Sequence, residues 1–261
     1  MIIYHDQVYL SFLLHCDKID KETETEGNME LSVVLLAYKE EENLRIMIPR
    51  IREQLRDLTE DYEIIVVDTK EPLDNSRQVC EENGAIYVNQ ADPGFGGAYK
   101  KGIETAKGDS LLYLDSDGSH DPCHIPDIYH KFNEGYDVVI GSRYIKGGKT
   151  NDATSSKIMS HILNFAFRIV LGIKAKDLST NFRMYRGDIV RQVELKSTNY
   201  DVLEEILLLM KIKTGKKNFR IAEVPITFNK RIFGESKRRL LPFIISYIKT
   251  MFKLLAIRIK S

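Results

Sequence analysis

Short apolar runs alternate along this chain with longer segments that carry apolar residues every three or four positions. The runs at 31–37, 64–67 and 111–114 are nearly continuous in apolar residues and too short for helices, which is typical of strands buried on both faces of a parallel sheet. Repeated strand–helix units with short connections predict parallel strands joined by right-handed crossovers. The expected fold class is therefore α/β. Further strands are predicted at 85–88 and 137–140.

Acidic side chains follow directly where the run at 111–114 ends. Asp115 and Asp117 stand one residue apart, and in an open α/β sheet ligands bind beyond the carboxyl ends of the strands. A pair of carboxylates there suits a hard divalent cation, which in turn attracts phosphate groups. An acidic turn whose aspartates cap the next helix explains the same two residues. Because Asp68 and a glycine-rich loop at 92–98 also follow strands, the ligand-binding interpretation is favoured.

The overall composition argues against several classes of function. The chain has 38 Lys and Arg and 38 Asp and Glu among its 261 residues, so its net charge of zero gives no electrostatic support to a nucleic-acid partner. Its three cysteines lie far apart, which argues against a disulfide framework and favours a reducing compartment. His120, Cys123 and His124 lie within one helical turn without a distant fourth ligand, which argues against a zinc site.

Three regions of the chain differ in composition. Residues 18–28 are charged and rich in threonine, so residues 1–28 are expected to form an amino-terminal appendage or linker. Residues 29–237 hold the alternating strands and helices and are predicted to form one folded domain. Residues 238–261 carry six basic and no acidic side chains and are predicted to form a basic amphipathic helix. Neither a secretory signal nor a transmembrane helix is expected, because the chain lacks a basic start and an uncharged apolar run of about 18 residues.

Two segments combine a wide apolar surface with a narrow polar stripe. Such a pattern suits a helix lying in a bilayer interface, where Lys and Arg beside anionic headgroups are worth about 1 kcal/mol each. Packing of both helices on the core or on a partner subunit is the alternative. The acid-free end of the chain favours the membrane. The stripes comprise Lys157, His161, Asn164 and Arg168 in the segment 157–173, and Ser246, Lys249, Lys253 and Lys260 in the segment 240–260.

Eight short motifs follow one another between about residues 31 and 237. They are YKEEENL at 38–44, VD at 67–68, GFGGAY at 94–99, DSDGSHDP at 115–122, GSRYIKGG at 141–148, DLSTNFRMY at 177–185, EVPI at 223–226 and RIFGESK at 231–237. In this order they resemble family 2 glycosyltransferases of the GT-A fold, in the branch of the dolichol-phosphate mannose synthases and bacterial polyprenyl-phosphate glycosyltransferases. The resemblance implies a GT-A (Rossmann-like), mostly parallel sheet flanked by helices, with the carboxy-terminal amphipathic helix at a membrane interface.

The resemblance also implies a reaction. A metal-dependent inverting enzyme of this kind moves a sugar of mannose or glucose type from a GDP- or UDP-sugar donor to a dolichyl or undecaprenyl phosphate. The reaction is expected on the cytoplasmic face of a membrane, to which the protein binds peripherally. The expected cofactor is Mg²⁺ or Mn²⁺.

Residue roles implied by the family fall into four groups. The catalytic residues are Asp115, Asp117 and Arg143. The metal ligands are Asp117, Asp115 and Ser119. The donor site comprises Tyr38, Glu40, Asp68, Gly96 and Asp115. The acceptor phosphate is expected to meet Arg143, Lys157, Arg183, Arg231, Ser236 and Lys237.

Several positions depart from the family pattern. Ser119 stands where relatives often have a glutamine that ligates the metal. Leu36, Lys39 and Thr69 differ from the usual residues of the base pocket, which leaves guanine and uracil both open. Asn181 replaces a common glycine.

Two other functions fit the same residues. A glycosyltransferase with a hydroxyl acceptor, acting in cell-surface polysaccharide or glycolipid synthesis, needs a carboxylate base. Asp201, Glu204 and Glu205 are the candidates for that base. A non-catalytic membrane-surface module that binds nucleotide sugars is the second alternative. His120, beside the acidic pair, fits either a base or a structural role where the next helix begins.

Overall fold

A mostly parallel sheet lies at the centre of this computed structural model, which describes residues 29–234 and 240–261. The strands are β1 (Leu31–Leu36), β2 (Tyr62–Asp68), β3 (Ile86–Asn89), β4 (Ser110–Asp115), β5 (Val138–Ser142), β6 (Lys149–Thr150), β7 (Arg183–Arg186), β8 (Ile221–Pro225) and β9 (Thr227–Phe228). Within the described residues, seven strands form the sheet in the order β3-β2-β1-β4-β7-β5-β8, and β6 pairs with β9. The α/β fold class and the strands predicted from the apolar runs are confirmed.

Helices cover both faces of the sheet. They are α1 (Glu41–Leu55), α2 (Ser76–Glu82), α3 (Gly94–Thr105), α4 (Ile125–Phe132), α5 (Thr154–Leu171), α6 (Gly187–Val190), α7 (Val202–Lys213) and α8 (Leu240–Lys260), with a 3₁₀ turn at Pro122–His124. Alternate residues of β1 serve the two faces: Val33 packs in the cluster with α1, α2 and α4, and Val34 packs in the cluster with α3, α5, α7 and α8. Burial on both sides explains why the strands read as continuous apolar runs.

β7 runs antiparallel between β4 and β5, and the apolar pattern does not predict it. Its first residue, Arg183, pairs with Tyr113 of β4 and Ile140 of β5. The strand has four residues with an arginine at each end, so no apolar run marks it. Its position inside the sheet carries Arg183 into the protein interior, with consequences for the expected phosphate site.

The carboxy-terminal helix α8 is fastened to α5 and α7 by polar contacts. Lys253 Nζ pairs with Glu205 Oε1 of α7 at 2.7 Å. Arg258 Nη1 donates to the carbonyl oxygen of Ile169 at 2.6 Å, near the end of α5 where backbone acceptors lack partners within the helix. The three helices therefore form one layer on the sheet.

Two sequence predictions fall on parts of the chain outside the described residues. They are the amino-terminal appendage at 1–28 and the boundary between 237 and 238, so the division into regions stays a prediction. Among the described helices, none has the length and apolar character needed to cross a bilayer.

Candidate active site

The predicted crevice edge is formed by the carboxyl ends of β1, β2 and β4. Leu36 at the end of β1 is paired with Val67 of β2 on one side and with Asp115 of β4 on the other. Asp68 and Asp115 therefore leave the sheet at the same edge. The strand ends meet at one edge of the sheet as expected from the sequence, but Asp68 is buried there whereas Asp115 is partly exposed.

The acidic pair does not cap the helix that follows it. Asp121 serves the 3₁₀ turn instead, because its carboxylate accepts the backbone N–H of Cys123 at 3.0 Å. Asp115 Oδ1 accepts the side-chain amide of Asn181 at 3.0 Å, and Asp117 Oδ2 accepts Arg231 Nη2 at 2.7 Å. Both carboxylates thus keep contacts that a ligand in the crevice can share or replace.

His120 fixes the loop that carries the pair. Its buried ring accepts the backbone N–H of Asp115 at Nδ1 (3.0 Å), so the ring proton lies on Nε2, which bonds Thr180 Oγ1 at 3.1 Å. Burial lowers the pKa of His120 despite the opposing effect of Asp115 and Asp117. A neutral imidazole with both nitrogens engaged has a structural role, and the interpretation as a base is not supported.

The oxygens around the pair fit Mg²⁺ or Mn²⁺. Ser119 donates its backbone N–H to Asp117 Oδ1 at 2.9 Å, and its buried Oγ has no hydrogen-bond partner among the described residues. Asn181, which binds Asp115, likewise has a buried Oδ1 without such a partner. Within the described ranges no cluster of three or more His, Cys, Asp or Glu is placed for a metal. Mg²⁺ is commonly held by one or two carboxylates together with substrate phosphates, and the carboxylates of Asp115 and Asp117 match that coordination.

Arg231 reaches the pair because its segment lies along the loop after β4. The backbone N–H of Asn229 donates to Ser119 O, and that of Ile232 donates to Asp117 O, both at 2.9 Å. Gly118 has a φ of +78°, and a Cβ there would meet Ile232 Cδ1 at 2.5 Å. Glycine is therefore required at this turn for both conformation and close approach.

A cavity of about 360 Å³ has Arg231, the partner of Asp117, in its wall. Asn43 forms part of its wall by donating to Glu40 Oε2 at 2.5 Å and accepting the backbone N–H of Phe233 at 3.2 Å. Glu40 therefore lines a cavity, Tyr38 just before it is half exposed, and the donor contacts expected of both stay predictions. Asp74 is a lining residue that the sequence reasoning did not identify. The lining comprises Lys39, Glu40, Glu41, Glu42, Asn43, Asp74, Arg231, Phe233 and Gly234.

Arg143 and His120 both contact the ring of Phe228. The Arg143 guanidinium is 5.2 Å from the Phe228 ring centroid, and the His120 ring is also 5.2 Å from it. Two nitrogens of Arg143 bind the two carboxylate oxygens of Asp177 at 2.8 Å each. Burial opposes the charged form, but the Asp177 carboxylate raises the pKa of Arg143 above its usual value. A permanent cation is thus held rigidly on the Phe228 ring, which also contacts His120 in the loop of the acidic pair.

The expected contact between Arg183 and phosphate is wrong. Arg183 is fully buried, and its guanidinium donates to the carbonyl oxygens of Leu203 and Leu178. Because β7 is an interior strand, this side chain points into the layer of helices and has no path to an anion in the crevice.

Two expected donor-site residues also lie beneath the surface. Asp68 is fully buried, with its carboxylate accepting the Tyr87 hydroxyl at 2.9 Å and the Thr69 backbone N–H at 2.7 Å. Gly96 is required by packing, because a Cβ there would lie 2.1 Å from Ser197 O. Neither residue lines the crevice in this structure, so the expectation that both contact the donor directly does not fit their positions.

The structure gives less information on the other residues expected to meet the acceptor phosphate. Lys157 lies in the first turns of α5, is partly exposed and has no side-chain hydrogen bond or ion pair within the described residues. Ser236 and Lys237 lie outside the described residues, so their expected roles stay predictions.

Large apolar side chains are exposed on α5 and α8 beside the polar residues His161, Lys249 and Lys260. Asn164 of the predicted stripe is buried, and Lys253 is paired with Glu205. On both helices the exposed apolar side chains have the spacing i, i+4, i+7 and i+11. Their exposed fractions are 57–62% on α5 and 38–76% on α8. They are Ile158, Ile162, Phe165 and Ile169 on α5, and Ile248, Phe252, Leu255 and Ile259 on α8.

Solved structures and sequence relatives define the class of protein. Glucosyl-3-phosphoglycerate synthase from Mycobacterium tuberculosis, solved with Mn²⁺, UDP and phosphoglyceric acid, has the same fold, with a TM-score of 0.65 and 20% identity over 89% of this chain and 79% of that one. The fold is therefore GT-A-like, the architecture of a glycosyltransferase.

The family is shown by sequence. The chain belongs to glycosyl transferase family 2, whose sequence model matches residues 32–194, and it is a glycosyltransferase. A dolichol-phosphate mannosyltransferase of Pyrococcus furiosus is 33% identical over 87% of this chain, which spans 64% of that protein's length. An undecaprenyl-phosphate mannosyltransferase of Micrococcus luteus is 34% identical over 80% of this chain and 87% of its own length.

Proposed function

We propose that this glycosyltransferase transfers a sugar, with mannose as the first candidate, from a nucleotide-sugar donor to a polyprenyl phosphate at a membrane surface. The relatives named for mannosyl transfer to dolichyl and undecaprenyl phosphate support the choice of sugar and acceptor. The observation that carries the lipid part of the proposal is the pair of exposed apolar faces on α5 and α8.

The donor end of the reaction belongs to the acidic pair. Asp115 and Asp117 would hold the cation, and the unpartnered oxygens of Ser119 and Asn181 are further ligands close to it. Bound Mg²⁺ or Mn²⁺ supplies positive charge where the leaving diphosphate becomes more negative. Arg231, which already contacts Asp117 at 2.7 Å, adds a second cation on the same side.

The acceptor end needs no general base. A phosphate monoester is largely ionised at neutral pH, so one of its oxygens attacks the anomeric carbon directly while the bond from that carbon to the diphosphate oxygen breaks. Attack opposite the leaving group inverts the anomeric centre. Arg143, rigidly held by Asp177, is the cation that would orient the acceptor phosphate.

The exposed apolar side chains of α5 and α8 support a location at a bilayer. Monomeric soluble proteins rarely expose contiguous large apolar patches without a partner. The same spacing occurs on two helices that contact each other, and interfacial helices bind by burying an apolar face among the acyl chains. A lipid-borne acceptor and an enzyme lying on the same bilayer meet without leaving it.

A hydroxyl acceptor is less well supported. Of the candidate bases, Asp201 accepts Thr250 Oγ1 at 2.7 Å, and Glu205 accepts Lys253 Nζ at 2.7 Å. Glu204 is fully buried in α7. All three carboxylates thus belong to the packing of α7 and α8, not to the crevice.

The test is a screen of donors against acceptors. The full chain is incubated with GDP- and UDP-linked mannose and glucose, a polyprenyl phosphate and Mg²⁺ or Mn²⁺, and labelled sugar is measured in the organic phase. We expect transfer that stops with a chelator and in Asp117→Asn, but persists in Asp127→Asn, which removes the same charge from an exposed position on α4. Labelling that survives the chelator, or that goes only to a hydroxyl acceptor, would refute the proposal.

A further inference from the structure

A second cavity lies under α5, away from the acidic pair. It has a volume of about 310 Å³, at the small end of the range for ligand pockets. Three residues of the polar stripe identified in the sequence, His161, Asn164 and Arg168, contribute to its wall. The full lining is Tyr144, His161, Asn164, Phe165, Arg168 and Lys176.

The charge of this cavity is one-sided. Arg168 and Lys176 are cations, and no acidic side chain is among the lining residues. The Nε of Arg168 is shielded from solvent and has no hydrogen-bond partner within the described residues. Glu223, the carboxylate in contact with this segment, accepts the backbone N–H groups of Lys176 and Asp177 at 2.8 and 3.0 Å and does not line the cavity. An anion in the cavity would therefore meet the charges of Arg168 and Lys176 without a competing carboxylate in the lining.

An aromatic ring divides this cavity from Arg143. The Tyr144 ring centroid lies 4.9 Å from the Arg143 guanidinium and 4.2 Å from the His161 ring centroid. The cavity is therefore a neighbour of the candidate acceptor site but is not lined by Arg143, Asp177 or the acidic pair.

The mouth of the cavity belongs to the apolar surface of α5. Phe165 lines the cavity and is 62% exposed, and it stands between Ile162 and Ile169 on the outward face. A molecule bound here thus has cations around its head and apolar side chains beside its mouth. That combination matches an anionic lipid, whose acyl chains can contact the apolar rim. A free ion has no apolar part to make that contact.

We propose that the cavity lined by His161, Arg168 and Lys176 binds the phosphate of an anionic phospholipid headgroup. Bound lipid would hold α5 at a fixed depth and rotation on the bilayer, beside the crevice. The inference rests on the membrane location in the proposed function, but it concerns a ligand that takes no part in the transfer.

The experiment measures binding of a monomeric short-chain phosphatidylglycerol to the full chain by titration calorimetry. A monomeric lipid has no charged surface, so general attraction to a membrane does not contribute. We expect Arg168→Gln/Lys176→Gln to bind at least about tenfold more weakly, as removing charge-assisted contacts implies. Lys174→Gln/Lys249→Gln, which removes two exposed charges outside the cavity, should bind as the wild type does. The single variant Lys176→Gln changes only an exposed side chain. Weaker binding by this variant therefore cannot be explained by loss of the fold.

Three results would overturn the proposal. One is equal binding by the double variant and its control. Another is inorganic phosphate or short-chain phosphatidylcholine binding as well as phosphatidylglycerol. The third is competition by polyprenyl phosphate together with a raised KM for it in the double variant, which would make the cavity part of the acceptor site. Because the readout is lipid binding, absence of sugar transfer would count against the proposed function and leave this result unaffected.

Discussion

The two arginine–aspartate pairs of the crevice have nearly equal contact distances and very different surroundings. Arg143 meets Asp177 at 2.8 Å with side chains 9% and 0% exposed. Arg231 meets Asp117 at 2.7 Å with side chains 30% and 13% exposed. The first pair is bidentate and buried, and the second is a single contact between a loop and the acidic pair.

This difference assigns distinct physical roles to similar contacts. A buried carboxylate whose arginine is removed is left as an uncompensated charge, which costs far more than the loss of an exposed pair. Arg143 is thus a fixed cation, whereas Asp117 can exchange Arg231 for a metal at small cost. Preorganisation lies at Arg143 and Asp177, and exchangeable contacts lie at the acidic pair.

The largest effect should follow from breaking the buried pair. Arg143→Ala leaves the Asp177 carboxylate buried without its cation, so the free energy of unfolding should fall by about 3–5 kcal/mol. Urea denaturation followed by circular dichroism measures it.

A matched double variant separates charge from packing in that experiment. Arg143→Met/Asp177→Leu replaces the pair by apolar side chains and should recover most of the stability while still lacking transfer activity. A loss below 1 kcal/mol in Arg143→Ala would contradict the description of Arg143 as a fixed cation.

An intermediate effect is expected at the pair that fastens α8. Glu205→Gln should lower the free energy of unfolding by about 1.5–3 kcal/mol at neutral pH, because it removes a charge-assisted bond to Lys253. Burial opposes ionisation, but Lys253 and the backbone N–H groups of Lys196 and Ser197 lower the pKa of Glu205 below 4.5 overall.

The sign of the pH dependence follows from that lowered pKa. The stabilisation is fully present above pH 4.5, where Glu205 is ionised in both states, and it is lost as the pH falls through the lower pKa of the folded state. The difference in free energy of unfolding between wild type and Glu205→Gln should therefore shrink on acidification below pH 4.5. A difference that grows in this range would show that the ion pair does not stabilise α8.

The smallest effect is expected at the exposed pair. Arg231→Ala should change the free energy of unfolding by less than about 1 kcal/mol, because its partner keeps access to water. Without nucleotide, Mn²⁺ should bind this variant somewhat more tightly, up to about fivefold, since the competing cation is gone. Weaker Mn²⁺ binding would mean that Arg231 supports the metal site and does not compete with it.

Much of the fold could be predicted because its signals are local. The apolar runs at 31–37, 64–67 and 111–114 mark buried parallel strands, and the parallel register brings their carboxyl ends to one edge. The acidic pair was identifiable for the same reason, since it follows one of these strands directly.

The errors arise where tertiary packing decides the outcome. Arg183 is buried because β7 inserts antiparallel between two other strands, which no local pattern shows. Gly96 is a glycine because Ser197, far along the chain, packs against it. Similarly, the polar stripe of α5 does not reveal that Asn164 is buried, because its burial depends on contacts far along the chain, such as the backbone N–H of Leu178 that it accepts.

The most direct test of the central claim is Mn²⁺ binding, followed by electron paramagnetic resonance, with GDP or UDP present. The account predicts that a nucleoside diphosphate strengthens Mn²⁺ binding to the wild type, because the cation is shared between the acidic pair and the diphosphate. Asp115→Asn and Asp117→Asn should each lose this binding, and Asp127→Asn should retain it. Unchanged Mn²⁺ binding in both variants of the pair would contradict the account.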